Sequence, residues 1–259
     1  MTYKNLLTET TGDHMAVVTL NRPQHLNTFD SAMARELDSA LREYEAHADV
    51  RVVIIKGSGK AFCAGIDLKE LAGQTPLEYR QWVETMERPF LTIATMTKPV
   101  IAQVHGVAAA NGMGLVAAAD LAIAAEDARM GLTAINVGLN CVGPVLPVAR
   151  SVGRKRALEL LLCGELIPAS EALSWGLINK VVPAEDLEAA TQHWANEIAA
   201  KSPLGVQTAK SAFYHSEDAG YAEHFAYMNE VFARLCTTDD AAEGVRAFFE
   251  NRDPIWTER

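Results

Sequence analysis

The chain has 259 residues, 49% hydrophobic and 22% charged, a balance that suits one large folded domain with or without a small appendage and excludes a disordered chain. Its formal net charge of -10 argues against nucleic-acid binding, so the few basic clusters, such as Arg150 with Arg154, Lys155 and Arg156, read as solvated helix ends. The four cysteines, Cys63, Cys141, Cys163 and Cys236, show no Cys-x-x-Cys pair and no histidine at metal-ligand spacing; no bound metal is expected, and a reducing compartment is.

The first residues lack a basic leader followed by an apolar core, which makes the cytoplasm the expected location. Strands are expected at 6–10 and 15–20, with a turn through Gly12 and Asp13 and a stop at Asn21, Arg22 and Pro23. Asp30 is a plausible N-cap, and Met33, Leu37, Leu41 and Tyr44 follow as one apolar helical stripe. The β-branched run 50–55 predicts a buried strand, and helix followed by buried strand indicates an α/β fold. A loop spans 57–65, with a helical turn after it at 67–70. A helix at 77–94 and a strand at 99–104 come next.

Residues 99–119 carry no charge, yet Gln103, His105 and Asn111 interrupt them and Gly106, Gly112 and Gly114 divide them, so they read as buried strand, loop and helix and not as a membrane span. Further on, a strand at 121–125, helices at 147–162 and 169–175, a strand at 178–182 and a helix at 187–200 are expected. Ser202 before Pro203 is a helix start signal, and from there the pattern is helical only, about 203–215, 220–236 and 239–251, the last capped by Thr238. The expected organisation is thus an α/β core over 1–200 and a helical C-terminal region over 201–259. Strand–strand–helix units recur only loosely.

Two loops are alike in kind. Ala64, Gly65 and Ile66, and Ala110, Asn111 and Gly112, each follow a buried strand and lead into a helix, so each can present a main-chain N–H, of Ile66 and of Asn111, to one pocket. Two such donors could hold a negatively charged carbonyl oxygen. The glycines could equally serve close packing of strand on helix, and spacing alone does not decide between the two.

Residues 60–70, reading Lys-Ala-Phe-Cys-Ala-Gly-Ile-Asp-Leu-Lys-Glu, and residues 98–120, from Lys98 to Asp120, resemble the crotonase (enoyl-CoA hydratase/isomerase) superfamily, with further likenesses in order at 21–27, 152–159, 172–183 and 243–249. The resemblance spans nearly the whole chain. It implies a ClpP-like superhelix of β-β-α units with C-terminal helices that assemble a homotrimer or a dimer of trimers. It also implies an acyl-CoA thioester as substrate, no tightly bound cofactor, and no nucleic-acid or membrane partner. By resemblance Ile66 and Asn111 are the two oxyanion-hole positions, although the second is usually glycine. Lys60, Ala64, Lys69 and Phe232 fall where the family approaches CoA, and Gly112, Gly114, Ala134, Asn136 and Asn140 fall in the substrate pocket.

The departures from the family pattern bear on the reaction. The two glutamates that activate water in the family's hydratases fall on Gly114 and Ala134, and the nucleophilic aspartate of its dehalogenases falls near Val142. None of these side chains can move a proton or attack carbon. The nearest pattern is the subgroup typified by enoyl-CoA hydratase domain-containing protein 3, supported by 135–141 and 253–256. Other polar candidates have plainer roles: Asp67 orients the turn after the first loop, His105 is a satisfied core histidine, and Cys141 is core. The expected function is an enolate-stabilising reaction on an acyl-CoA, such as decarboxylation, thioester cleavage or non-standard hydration. The alternative is a non-catalytic acyl-CoA-binding protein.

Overall fold

The computed structural model describes residues 3–71 and 73–258; Met1 and Thr2, at the start of the expected mature chain, lie outside them. Strands β1 (Leu6–Thr10), β2 (Met15–Leu20), β3 (Val52–Gly57), β4 (Val100–Val104), β6 (Leu121–Ala125) and β9 (Lys180–Val182) form a six-stranded sheet in the order β1-β2-β3-β4-β6-β9. Only β1 runs antiparallel to its neighbour. The α/β expectation therefore holds. The strand expected at 50–55 begins two residues later, at Val52, and ends at Gly57.

Side chains alternate across this sheet, and both faces are covered. Val52, Ile54, Ile101, Ile123 and Ala125 pack on one side against Leu187, Ala195 and Ala199 of α6 (Leu187–Ala199). Val53, Ile55, Val100, Ala102 and Val104 face the larger core on the other side. There they meet the Met33, Leu37 and Leu41 stripe of α1 (Ser31–Ala46), together with Met86, Phe90 and Ile93 of α2 (Pro76–Thr95). The N-caps read from sequence are made: Asp30 accepts from the Met33 N–H at 2.7 Å and Ser202 from the Gly205 N–H at 3.1 Å.

A second, three-stranded sheet of β5 (Val107–Ala109), β7 (Arg129–Gly131) and β8 (Ile167–Pro168) is not foreseen in the sequence reading, because strands of two or three residues show no period. It gives the fold its spiral: β4 is followed by β5 and then α3 (Asn111–Ala118), and β6 by β7 and then α4 (Val145–Cys163), so successive units add one strand to each sheet. The helix α4 is longer than the expected 147–162 and is broken at Gly153, whose φ of 75° is not helical. Beyond α5 (Ala169–Trp175) and α6, the chain ends in α7 (Pro203–Ser216), α8 (Tyr221–Leu235) and α9 (Asp239–Glu250). No side chain of α8 is buried, and Tyr221, Phe225 and Phe232 on it and Phe248 and Phe249 on α9 are exposed.

Candidate active site

Hydrogen bonds stitch the two similar loops together. Beyond β3, the Cys63 N–H donates to the Val107 carbonyl at 3.1 Å and the Ala109 N–H to the Cys63 carbonyl at 2.9 Å, so the first loop runs alongside β5. On its other edge, Phe29 donates to the Gly65 carbonyl at 2.7 Å and Asp67 to the Phe29 carbonyl at 2.6 Å. These bonds flank Ile66 and leave its N–H pointing elsewhere. The loops then touch at Gly65: a Cβ there would lie 3.0 Å from Cβ of Ala110. Gly65 has a φ of 106° and Ala110 the rare combination of φ 49° and ψ -114°, a strained backbone for a residue with a side chain. Each unusual residue immediately precedes a donor, Ile66 in one loop and Asn111 in the other. Among the described residues neither N–H has an acceptor in the chain, and Asn111 is the first residue of α3, whose positive end it shares.

Both Ile66 and Asn111 line a cavity of about 430 Å³, with Ala134, Asn140 and Cys141 beside them. Tyr79, Trp82, Val83, Met86 and Glu87 of α2 form one wall of it, largely apolar, and Leu139, Val142, Gly143 and Pro144 line it as well. Two supports fix that wall: the Trp82 indole N–H donates to Glu70 at 2.9 Å, and the Tyr79 hydroxyl to the Leu71 carbonyl at 2.6 Å. Glu70 also accepts from the N–H and hydroxyl of Ser31 at the start of α1, which locks the helical turn Leu68–Glu70 between α1 and α2. Two undonated N–H groups at the wall of one largely apolar cavity can hold a developing oxyanion.

Other residues singled out in the sequence sit elsewhere. Gly112 does not line the cavity: a Cβ on it would lie 2.1 Å from the Cys63 carbonyl oxygen, so it lets α3 start against the first loop. Gly114 faces Pro144 and Phe90, where a Cβ would meet atoms at 2.8 and 3.1 Å. The expected pocket role of both glycines gives way to close packing. Asn136 is likewise turned away, donating to the Gly164 carbonyl at the end of α4 at 2.8 Å. Asn140 lines the cavity while its side-chain oxygen accepts from the Cys141 N–H at 2.8 Å. Lys60 and Lys69 are exposed and Ala64 is half-buried, its N–H engaged by the Leu26 carbonyl at 3.0 Å. Phe232, on α8, is 67% exposed and outside the cavity wall.

Asp67 pairs with Arg22 at 3.0 Å and accepts from the Lys69 N–H at 3.2 Å, so it does orient the turn. Burial works to raise its carboxyl, but the Arg22 hydrogen bond, the Lys69 N–H and the charges of Arg22 and Lys69 outweigh it and hold the group below the usual carboxylate range. Asn27, fully buried, accepts from the Arg22 N–H at 2.8 Å and donates to the Ser58 and Ala61 carbonyls, both at 2.8 Å, pinning the loop that carries Lys60. Burial pushes the Cys141 thiol up, which leaves it a poor nucleophile. A ring nitrogen of His105 lies 3.0 Å from the Gly59 carbonyl; the residue is satisfied as expected but only half-buried, because it lies just past the end of β4. Among the described residues no cluster of three His, Cys, Asp or Glu side chains is placed to hold a metal ion, and no helix is long and apolar enough to cross a membrane.

The sequence reading missed Glu87. Val83, Met86, Phe90, Ile93 and Ala94 form the inward row of α2, and Glu87 stands in that row four residues after Val83. A charge at an apolar position was the available signal.

A sequence model of the enoyl-CoA hydratase/isomerase family matches residues 10–259. The chain belongs to this family. Enoyl-CoA hydratase domain-containing protein 3, mitochondrial, of Homo sapiens is 36% identical over 246 residues, covering 95% of this chain and 81% of that protein, and its Xenopus laevis counterpart is 35% identical over 241 residues, covering 93% and 82%. A crystal structure of enoyl-CoA hydratase from Mycobacterium smegmatis matches with a TM-score of 0.95 at 38% identity, covering 98% of this chain and 99% of that one. The crystal structure of the human domain-containing protein 3 matches with a TM-score of 0.94 at 34% identity, covering 98% and 100%. The fold of this family member is thus the crotonase fold, and its likeness to the domain-containing protein 3 subgroup is borne out.

Proposed function

We propose that the protein acts on an acyl-CoA thioester by holding the thioester oxygen between the N–H groups of Ile66 and Asn111 and stabilising the enolate that forms from it. The observation that carries this reading is the pairing of two undonated N–H groups, on loops in van der Waals contact, at the wall of one apolar cavity. Removing one such donor costs on the order of 3 kcal/mol of transition-state stabilisation in enzymes where it has been tested. Family membership supports the substrate class. In our reading Lys60 and Lys69, flexible point charges at the surface, meet the CoA phosphates, and Phe232 meets the nucleotide from α8.

The reaction is atypical of a hydratase, because glycine at 114 and alanine at 134 leave no carboxylate at the places where the resemblance puts the water-activating pair. Exposed aromatic rings on α8 and α9 support assembly as a homotrimer or a dimer of trimers. Four free cysteines suit a reducing compartment, with the cytoplasm our choice.

Isothermal titration with acetyl-, crotonyl- and longer acyl-CoA tests the reading. Saturable heat is expected, and it weakens at least tenfold in Lys60→Glu with Lys69→Glu. No heat beyond that of buffer with any thioester would overturn it.

A further inference from the structure

Two cavities meet at one acidic side chain. Glu87 lines the 430 Å³ cavity that holds Ile66 and Asn111, and it also lines a neighbouring cavity of about 490 Å³ walled by Phe90, Leu91, Ala117 and Leu146. Gly143 lines both as well, and the absence of a side chain on it makes room for the carboxyl: a Cβ at 143 would fall 1.5 Å from Glu87 Oε1 and 2.2 Å from its Cδ. The next residue, Pro144, packs on Gly114, one turn along α3 from Asn111. A carboxyl group is therefore inserted between α2 and the 143–144 turn, at the edge of the cavity that the two N–H donors also line.

Among the described residues no hydrogen bond or ion pair reaches Glu87. Carboxylates elsewhere in the cavity's surroundings are engaged: Glu70 by Ser31 and Trp82, and Asp67 by Arg22. A half-buried, unpartnered acid in an apolar wall has no structural partner to serve, and desolvation without compensation is a cost that functional sites carry.

Resting on the function proposed above, we infer that Glu87 is the proton-transferring residue of this site, a substitute acid and base delivered from α2. Its carboxylate takes a proton from Cα of the bound acyl thioester; the C–H electron pair becomes the carbon–carbon double bond of the enolate, and the charge moves to the thioester oxygen between the N–H groups of Ile66 and Asn111. The step reverses when the carboxylic acid returns its proton to carbon. No oxidant, metal or second base enters the balance. Burial pushes the Glu87 carboxyl up from its ordinary value, which suits a group that must both accept and give a proton. The other titratable groups around it are Tyr79 and Cys141 in the donor cavity and Asp120, Arg150, Tyr214 and Glu217 in its neighbour. Asp120 is held by Lys210, and Arg150 by Glu217 and Asp218, so none of those charges is free to neutralise Glu87.

The test is hydrogen exchange on butyryl-CoA in deuterium oxide, followed by proton magnetic resonance, with binding of the same thioester measured by calorimetry. The wild type is expected to replace its Cα hydrogens with deuterium, at a rate that rises with pH through a midpoint above the usual carboxylate range. Glu87→Gln, which keeps the shape, is expected to bind within threefold of wild type and to exchange at least roughly 100-fold more slowly. Glu87→Asp, set back by one methylene, should exchange at an intermediate rate and keep the pH midpoint. Exchange by folded Glu87→Gln at the wild-type rate, or wild-type protein that binds butyryl-CoA without exchanging it, would overturn the role of Glu87 and leave the binding site standing. Wild-type protein that fails to bind would overturn both.

Discussion

Single residues hold the candidate site in shape, and their removal has distinct signatures. Asn27 satisfies three main-chain groups with no exposure to water and sits at a φ of 54°, a left-handed position that asparagine tolerates better than alanine. Asn27→Ala should lower the unfolding free energy by on the order of 3 kcal/mol, read from urea denaturation, since buried carbonyls and an N–H lose their partner. Asp67 acts through charge. Its folded-state carboxyl is held below the usual value of about 3.9, so its contribution is fully present above about pH 5 and is lost as pH falls through the folded value. Urea denaturation at pH 5, 4 and 3 should show a shallower loss of stability in Asp67→Asn than in wild type; parallel curves would remove the Arg22 pair from the account.

Gly114 makes the same point about space. Placing glutamates at 114 and 134 is expected not to rebuild a hydratase here, because a side chain at 114 meets Pro144 and Phe90 at once. Gly114→Glu is expected to lose about 1–3 kcal/mol to overpacking, whereas Ala134→Glu, facing the cavity, should melt near the wild-type temperature. Calorimetric melts of the two single variants separate these outcomes.

At the scale of elements, α7 is tied to the core by one ion pair. Lys210 reaches Asp120 at 2.7 Å and the Lys98 carbonyl at 2.9 Å, and Asp120 in turn accepts from the Val100 N–H at 2.7 Å, joining α7 to the ends of β4 and α3. Both charges are buried, so Lys210→Met strands the carboxylate and should cost about 3–5 kcal/mol, while adding Asp120→Leu should recover part of that loss. Equal stability of the single and double variants in chemical denaturation would show that burial, not pairing, sets the energy.

Elements of this length were legible in the sequence because hydrophobic period and caps agree: the Met33 to Tyr44 stripe behind Asp30, the β-branched run before Gly57, and Ser202 before Pro203. The small sheet was not, since three-residue strands such as β5 take their identity from pairing with distant chain, here with β7 and, through Cys63, with the first loop. The site was legible in part. The two loops stood out by their glycines, but that Gly112 and Gly114 serve packing depends on residues 49 and 30 positions away, Cys63 and Pro144, and no local pattern encodes such contacts. Glu87 went unseen because a helix tolerates one acid in its apolar row without losing its period.

For the whole molecule, the C-terminal helices leave a large apolar surface uncovered: Tyr221 is 83% exposed, and Phe248 and Phe249 are each 80% exposed. Light scattering at micromolar concentration should give three or six times the 28.1 kDa chain mass, and a monomer mass would refute the proposed assembly. Phe232 reaches CoA in this account only if assembly brings α8 to a site, so Phe232→Ala should weaken thioester binding while leaving the oligomer mass unchanged.

In the proposed function the main chain at Ile66 and Asn111 grips a thioester oxygen. A crystal structure of the protein with bound butyryl-CoA tests it most directly. The thioester oxygen is expected within about 2.7–3.1 Å of both nitrogen atoms. An ordered thioester whose oxygen meets neither N–H, or only one of them, would contradict it.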